Sequence, residues 1–398
     1  MFNNNSHIYF RVRSLKISLG FLVFSLAGCL ETFEPETLGF ENILVVEAVI
    51  TDEFIEQEVV LSRTTPLENM EFVPEGDATV IIANNMGDSY NFQEVQPGVY
   101  RSIEPFNAEL NVDYGLSIIT ANGDTYFSSI EMLSGTSNLT NLQAIRTTND
   151  DGEEGVQILV DGEGIGPNSS FFRYEYEETY QIKSFYASPQ NLFVVSESPL
   201  TFETRIKERE ERICYRTIAS NNLNLRSSSA LALNETNDVP IRFLPKTSFE
   251  VRDRYSIEVT QFIQSREVQS FYETLNEFSS SENVFSQTQA GFAGGNITAN
   301  DNENKVLGIF SVASVSSQRI FFNFRDLFPD GIRPAFVNDC VTVQLSPSRE
   351  GARLAQLLKS RYKLVAEDAF SGDYIVAPKV CVDCTVLGSN VKPDFWED

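Results

Sequence analysis

Residues 172–183 read FRYEYEETYQIK, and this stretch decides the fold class because apolar and polar side chains alternate along it. Alternation with a period of two is typical of a β-strand that has one face covered. The aromatic face, which includes Tyr174 and Tyr180, could serve as a platform for a ligand. Because an aromatic stripe at the period of a strand more often packs in a core, we predict a long half-buried strand.

More strands and two or three short helices are predicted around this strand. The strands are expected at residues 156–160, 241–244, 255–262, 306–312, 319–324 and 340–345. Ser265 is expected to cap one helix. Another begins at Ser346-Pro347, since proline is favoured at the first helical position, and runs to about residue 361. We assign residues 138–398 to one β-rich domain that ends in a cysteine-containing tail.

Short β-rich runs also fill residues 41–134. They lie at residues 43–50, 58–62, 78–83, 90–94, 98–102, 114–120 and 126–133. Asn122-Gly123 supplies the positive backbone angles that a tight hairpin turn requires. Short strands separated by turns predict an immunoglobulin-like β-sandwich, which the small polar residues 134–138 link to the second domain. The whole chain is therefore predicted to be mainly β.

The amino end has the pattern of a lipoprotein signal peptide. A basic stretch with Arg11 and Lys16 precedes an apolar run at residues 17–27. This run is too short to span a bilayer, which needs about 20 apolar residues. It ends in Leu26-Ala27-Gly28-Cys29, which resembles the bacterial lipobox. We expect removal of residues 1–28 and acylation of Cys29, which would anchor the protein to a bacterial membrane; an ordinary secretory signal is the alternative.

The exported protein is strongly acidic. Its formal net charge is −26 for the whole chain, and no acidic residue lies in the removed segment. Residues 29–40 are acidic and poor in apolar side chains, so we expect an extended tether there. Nucleic acid and anionic lipid surfaces both attract basic proteins. We therefore expect no nucleic-acid partner and a contact with the membrane only through the lipid anchor.

The only histidine, His7, lies in the signal peptide. Serine triads, cysteine–histidine dyads and the commonest zinc sites use an imidazole, so these sites are excluded from the exported protein. A carboxylate-based hydrolase stays open because it needs only two carboxyl groups at a set separation. No pair stands out among the 56 acidic residues. We expect a protein that is not an enzyme and has no cofactor.

Three charged runs have alternative interpretations. Residues 150–154 and 300–304 hold enough side-chain oxygens for calcium, but neither has the spacing of a known calcium loop. We therefore expect surface turns and no metal site. Arginine and glutamate are interleaved at residues 205–212, which could form a strip for a partner. A solvated face is more typical of such a run.

Four cysteines follow Cys29, namely Cys214, Cys340, Cys381 and Cys384. An exported compartment allows them to oxidise. The last two have a spacing that also fits a redox dithiol or half of a zinc site, but no βαβ pattern surrounds them. We expect structural disulfides, for which three pairings are open. The favoured one ties the carboxyl-terminal tail to Cys340, where closing a loop of about 40 residues contributes ~4 kcal/mol.

Several short motifs, taken in order, resemble family 4249 of the domains of unknown function, lipoproteins found chiefly in Bacteroidota. The motifs are LVVEAVITD at 44–52, VLSR at 60–63, GDATV at 76–80, GVY at 98–100, YSIEV at 255–259, GNI at 295–297, VLGIFS at 306–311, CVDC at 381–384 and KPDFW at 392–396. They span nearly the whole exported chain. The family often has glycine where this chain has Ala48, a small departure.

The resemblance implies a role but no catalytic residues, because the family has no established activity. Its members are often encoded beside TonB-dependent outer-membrane receptors. We therefore expect an outer-membrane lipoprotein that binds a ligand or assists such a transporter without catalysis. Glu31, Glu34 and Glu36 resemble signals for export to the cell surface, and both the surface and the periplasmic face stay open.

Two other functions are kept as alternatives. One is a carbohydrate-active hydrolase with paired carboxylates, and the other is a structural or adhesive surface module. Sugar-binding platforms favour tryptophan, and the lone Trp396 is expected instead to pack the tail onto the second domain. The sequence identifies no ligand.

Overall fold

The computed structural model describes residues 42–65, 72–280, 294–301 and 304–397. The signal peptide, Cys29 and the acidic tether lie outside these residues, so the acylation of Cys29 stays a prediction. Within them the chain is mainly β with short helices, as the alternation of residues 172–183 indicates. In the described part of the chain, no helix is long and apolar enough to cross a bilayer.

Every strand predicted between residues 43 and 133 is present. Together with β3, which was not predicted, they are β1 Leu44–Thr51, β2 Glu58–Arg63, β3 Val73–Pro74, β4 Thr79–Asn84, β5 Ser89–Gln96, β6 Val99–Ser102, β7 Tyr114–Ile119 and β8 Thr125–Ser128. The last strand ends five residues before the predicted end at residue 133. Alternate side chains of these strands point into one core, as in β7, where Tyr114, Leu116 and Ile118 are buried. The arrangement is sandwich-like, with β4, β7 and β8 following β6 and β5 in the sheet.

The later strands are β9 Thr136–Thr148, β10 Glu154–Ile165, β11 Phe171–Lys183, β12 Gln190–Glu197, β13 Leu200–Ile206, β14 Ile213–Ala219, β15 Asn224–Ser227, β16 Glu235–Pro245, β17 Arg254–Ile263, β18 Ile297–Ala299, β19 Val306–Asn323, β20 Val343–Leu345, β21 Tyr362–Glu367 and β22 Tyr374–Pro378. They include the longest ones, such as β9, β11 and β19. The helices are α1 Arg266–Ser280, α2 Phe324–Leu327, α3 Pro347–Lys359 and α4 Lys379–Val382, with 3₁₀ turns at Phe249–Val251 and Cys384–Val386. The two predicted helices correspond to α1 and α3.

Three details of the predicted strands are corrected. Two predicted strands at residues 306–312 and 319–324 are one strand, β19. The strand predicted at 340–345 is confined to β20, so Cys340 lies before it. The segment expected to be a linker at 134–138 already contains the start of β9. In each case hydrogen bonds to distant strands decide the boundary, and local composition does not record them.

The strand β11 is also more buried than its pattern predicts. Its aromatic face is core, since Phe172 and Tyr174 are at most 1% exposed. On the other face Arg173, Thr179 and Gln181 are also buried. The strand lies between β14 and β17 in the sheet, where neighbouring elements cover both faces. Half-burial was therefore wrong, whereas the assignment of the aromatic stripe to the core is confirmed.

Residues far along the chain complete the first core. Ile297 of β18 and Val306, Phe310 and Val312 of β19 pack with the inward residues of β1 to β8. Strand β18 extends the sheet at β8, and β19 pairs in parallel with β1. The division of the chain near residues 134–138 stays a prediction about folding units.

Strand β19 changes its partner halfway along its length. Its first half pairs with β1, up to Thr51 opposite Ala313, and its second half pairs antiparallel with β17 from Ser314 onward. Asp52 follows β1 directly and accepts hydrogen bonds from the Ser314 hydroxyl and from the Val315 backbone N–H, the latter at 2.9 Å. The last residue of the 44–52 motif thus fixes the point where β19 changes its partner from β1 to β17 within one sheet.

Gly308 allows β1 and β19 to approach closely. Its φ is +117°, and an added Cβ would lie 1.9 Å from the Val46 carbonyl oxygen and so could not fit. The side chain of the neighbouring Asn296 is buried. It accepts a hydrogen bond from the Phe310 N–H and donates one to the Phe310 carbonyl oxygen, each at 2.8 Å. The 295–297 and 306–311 motifs are therefore explained by backbone packing.

A second core lies between two sheets. The sheet β16-β10-β9 packs on the sheet that contains β14, β11, β17 and β19. Serine side chains join the two layers: Ser314 accepts from the Ser137 N–H, and Ser316 accepts from the Leu139 N–H, each at 2.8 Å.

A smaller core is built by the sheet β20-β22-β21, helix α3 and the β12-β13 hairpin. Leu354 of α3 packs there against Leu192, Leu345 and Leu364. Trp396 packs against Tyr215 and Phe321, with ring centroids 4.9 and 5.6 Å away. The prediction that Trp396 fixes the tail to the second domain is confirmed.

Candidate binding cleft

An open cleft of about 800 Å³ lies between helix α1 and the outward face of β1, β2 and β19. We call it the α1 cleft. Its floor and walls are mainly apolar, formed by Val45, Val49, Val60, Phe262, Phe271, Tyr272, Leu275, Leu307 and Ile309. Ligand sites in proteins usually occupy about 300–1,000 Å³ and have this composition. The α1 cleft therefore has the size and lining of a site for a small ligand.

The floor exists because β1 is apolar on both faces. Leu44, Val46, Ala48 and Ile50 point into the first core and are fully buried. Val45 and Val49 point the other way and are only partly covered. A strand that is apolar on both faces requires a layer on each side. Helix α1 supplies part of that layer, and the cleft is the part that none of the described residues covers.

Helix α1 is attached to the sheet by its first turns. Ser265 accepts a hydrogen bond from the Val268 N–H at 3.3 Å, which confirms the predicted cap. Val268 and Phe271 are buried against Ile309 of β19. Tyr272 and Leu275, one turn further on, are half-buried and face the cleft.

Arg173 places a buried cation at the wall of the cleft. Its guanidinium stacks on the Phe262 ring with the Cζ atom 3.9 Å from the centroid, and it lies 5.1 Å from the Tyr272 centroid. It forms an ion pair with Glu175 and donates to the Gln264 amide oxygen at 3.3 Å. Burial lowers the pKa of Arg173 from its ordinary value, yet arginine stays charged at any physiological pH.

Carboxylates outnumber cations in the cleft. Glu47 and Glu58 line it together with Glu175, opposite the single cation Arg173. Glu58 is held by Arg101, which lies outside the cleft, at 2.9 Å. On the rim, residues 220–223 add the amide side chains of Asn221 and Asn222. The cleft therefore offers an apolar floor with an acidic and amide rim, which suits an apolar body that carries hydrogen-bond donors or a positive charge.

No metal site accompanies the cleft in the described residues, where no group of three or more histidine, cysteine or acidic side chains could hold an ion. The acidic run at 150–154 forms the turn between β9 and β10, in which the Asn149 side chain accepts from the Glu153 N–H at 2.8 Å. The second run, at 300–304, is described only in part.

The four cysteines form two disulfides, Cys214–Cys384 and Cys340–Cys381. The second is the pairing that the sequence favours, with the tail tied to Cys340. The first joins β14 to the same tail. All four sulfur-bearing residues are buried, so the motif at 381–384 is structural in this fold and the structure does not bring the cysteines to the α1 cleft.

Most of the charged run at 205–212 is the solvated face that its composition predicts, since all of its residues except Lys207 and Glu211 are exposed. Lys207 and Glu211 are buried and form an ion pair at 2.8 Å. Glu211 also contacts Lys363, and Lys363 contacts the fully buried Asp383, at 2.7 and 2.8 Å. Side chains from distant parts of the chain pair with this run, and a local charge pattern does not reveal such partners.

Burial and ion pairing act in opposite directions on these two acids. Burial alone would raise the pKa of Asp383, but hydrogen bonds from Lys363 and Thr385 outweigh it, so the pKa of this carboxyl lies below its ordinary value. The pKa of Glu211 is lowered in the same way, by Lys207 and Lys363 against its burial. Both groups are therefore charged at neutral pH.

The lining of the α1 cleft was missed from the sequence, although one signal was present. The run LVVEAVIT has apolar residues at both odd and even positions, which indicates cover on both faces. Nothing local to Arg173 indicates its position, because Phe262 and Tyr272 reach it from β17 and α1.

A family model described as Domain of unknown function (DUF4249) matches residues 31–319. This range contains all residues that line the α1 cleft. The motifs at 381–384 and 392–396 lie beyond it, so the resemblance is narrower than those motifs imply. None of the curated proteins compared with the chain matches it. Because the matched residues make up more than half of the sequence, the chain belongs to the DUF4249 family.

Proposed function

We propose that this protein is an outer-membrane lipoprotein that binds a ligand in the α1 cleft and assists a TonB-dependent transporter without catalysis. The observation that carries the proposal is the cleft itself. Its apolar floor lies on the outward face of β1, its wall is helix α1, and its rim is acidic. A structural or adhesive module has no need of such a cleft.

The lipid anchor would place the cleft near the membrane. The lipobox-like Leu26-Ala27-Gly28-Cys29 precedes β1 by few residues, and β1 forms the cleft floor. An extended chain spans at most about 3.5 Å per residue, so the tether from Cys29 to Leu44 reaches about 50 Å. The cleft would therefore stay close to an integral membrane partner, which supports the accessory role that the family resemblance implies.

Acylation is tested by metabolic labelling with a fatty acid in the producing bacterium. We expect the wild-type chain to take up label and to pellet with outer membranes. The variant Cys29→Ser should lose both properties. Label retained by this variant would contradict the anchor.

The accessory role is tested by purification of the full chain from membranes. We expect an outer-membrane barrel of the TonB-dependent class to copurify, together with no turnover of glycans. Val49→Arg places a long cation on the cleft floor and should abolish ligand binding. Ile119→Arg, on the partly exposed edge of β7, makes the same change away from the cleft and should leave ligand binding unchanged. Recovery without a barrel would contradict the accessory role.

One observation favours the hydrolase as a second candidate. Val49 pairs with Glu58 and Glu47 pairs with Val60, so Glu47 and Glu58 are diagonal neighbours on two strands that line the cleft. Diagonal neighbours on adjacent strands lie about 7–8 Å apart, and inverting glycosidases separate their carboxyl groups by about 6.5–9.5 Å. The test is glycan hydrolysis by the wild-type chain and by Glu47→Gln and Glu58→Gln. If the wild type hydrolysed a glycan and each variant did not, the function would be catalysis instead of binding.

A further inference from the structure

A second cleft, of about 570 Å³, lies between the β12-β13 hairpin, helix α3 and β21. We call it the basic cleft. Five cations line it, namely Arg209, Lys359, Arg361, Lys363 and Lys379. Its only acid, Glu211, is buried and shared among several cations. In a chain with 56 acidic and 30 basic residues this concentration of positive charge is unusual.

The ion pairs beneath the basic cleft do not neutralise it. Two buried carboxylates, Glu211 and Asp383, form the ion pairs beneath the cleft in the described part of the chain. They face Lys207, Arg209, Lys363 and Lys379 at 2.7 to 4.0 Å. With Glu197, which pairs with Lys359 at the rim, three carboxylates of the described residues therefore meet the five lining cations and Lys207, so an excess of positive charge remains. A concave surface with an excess of one sign concentrates ions of the opposite sign.

Arg361 adds a separate observation. It follows helix α3 and has a φ of +86°, a conformation in which glycine or asparagine is favoured. An arginine in that position is strained, and strained residues concentrate at functional sites. Its side chain lines the cleft beside Lys359 and Lys379. Cations at the end of a helix also stabilise the helix dipole, so the two roles have to be separated by experiment.

The rest of the lining indicates what kind of anion fits. The Phe193 ring is 41% exposed and has the Arg205 guanidinium 5.1 Å from its centroid. The half-buried Tyr362 also lines the cleft. Aromatic faces next to cations suit a group that is apolar on one side and charged on the other. We propose that the basic cleft binds a small organic anion, whose carboxylate or phosphate contacts Arg361 and Lys379 while its ring or carbon skeleton packs on Phe193.

Most of the basic cleft lies outside the part of the chain that the family model matches. Lys359, Arg361, Lys363 and Lys379 all lie after residue 319, where the family match ends. The proposal does not depend on the α1 cleft, which shares no residue with the basic cleft.

Calorimetric titration of the exported chain with glucuronate and with glucose 6-phosphate tests the proposal. We expect saturable binding of at least one of them, weaker at high salt because salt screens the charges. Arg361→Gly removes the cation and relieves the backbone strain. It should bind at least tenfold more weakly while its midpoint of urea unfolding is unchanged or higher.

Lys379→Gln should also weaken binding. Arg349→Gln lowers the charge equally in the first turn of α3 and should bind as the wild type does. The proposal would be overturned if Arg361→Gly bound the anion as tightly as the wild type does. It would also be overturned if Arg349→Gln weakened binding as much as Arg361→Gly does. The absence of binding of both anions, or binding only to vesicles of phosphatidylglycerol, would also overturn it.

Discussion

Asp383 lies between the two half-cystines Cys381 and Cys384 and is fully buried among cations. Lys363 contacts it at 2.8 Å and Arg209 at 3.2 Å, and it accepts from the Thr385 N–H at 3.0 Å. A buried charge is tolerated only when its partners replace the water it has lost. Removal of Asp383 would therefore leave the largely buried Lys363 with Glu211 as its remaining acidic partner.

We expect Asp383→Ala to lower the free energy of unfolding by about 3–5 kcal/mol, the usual effect of breaking a buried ion pair from one side. Glu197→Ala is the matched control, because Glu197 pairs with Lys359 on the surface. Because water screens an exposed pair, Glu197→Ala should change the free energy of unfolding much less than Asp383→Ala does. Urea unfolding of both variants measures the difference, and equal losses would contradict our account of the cluster.

The pH dependence of stability follows from the same residues. The pKa values of Asp383 and Glu211 are lowered in the folded state. An acid with a lowered pKa contributes stability above its unfolded value, about 4, and loses it as the pH falls through the folded value. Wild-type stability should therefore fall below pH 4. Asp383→Asn should show a shallower fall in the same urea titrations, and a parallel curve would refute this.

Local alternation predicted most strands, because a strand with one covered face has period two wherever it lies. It failed within β19, where Ser314, Ser316 and Ser317 interrupt the apolar pattern and suggest two strands. These serines are not in a loop, since Ser314 and Ser316 bond backbone N–H groups of β9. Ser137, the partner of Ser314, is 177 residues away along the chain. No short stretch of sequence therefore contains both the serine and the strand to which it bonds.

At the level of the strand pair, Gly308→Ala is expected to be severely destabilising, by more than about 3 kcal/mol. Its Cβ would overlap the Val46 carbonyl oxygen at 1.9 Å, and β1 would have to move away from β19. Gly87→Ala is the control. Gly87 has a φ of +98° but no atom within 4 Å of an added Cβ, so it should lose only about 1–2 kcal/mol from backbone strain.

Thermal unfolding followed by circular dichroism measures both glycine variants. If Gly308→Ala lowered the midpoint of thermal unfolding no more than Gly87→Ala does, the close approach of β1 and β19 would be contradicted. The same experiment bears on the α1 cleft, because β1 and β19 together form its floor.

For the whole molecule, the sequence predicted a mainly β chain with a disulfide-bonded tail, and both features are present. It did not predict the α1 cleft or the basic cleft. Each cleft joins elements far apart along the chain, such as β1 with α1, or Arg209 with Lys379. Composition also concealed the basic cleft, because the overall negative charge suggests an acidic surface throughout.

The two disulfides should differ in their contribution to stability. The closed loops have sequence separations of 170 for Cys214–Cys384 and 41 for Cys340–Cys381. In the chain-entropy model these loops correspond to about 5 and ~4 kcal/mol. We expect the double variant Cys214→Ser/Cys384→Ser to unfold at a lower urea concentration than Cys340→Ser/Cys381→Ser. The reverse order would show that local packing outweighs loop length.

The pairing of β1 with strands on both sides has a mechanical consequence. The chain enters β1 from its amino end at Leu44, and β1 is hydrogen-bonded along its length to β19 and to β2. A pull from the anchor along the axis of β1 would load these bonds in shear, all at once, instead of opening them one after another. With the proposed acylation of Cys29, tension on the lipid would therefore reach the centre of the largest sheet before its strands separate.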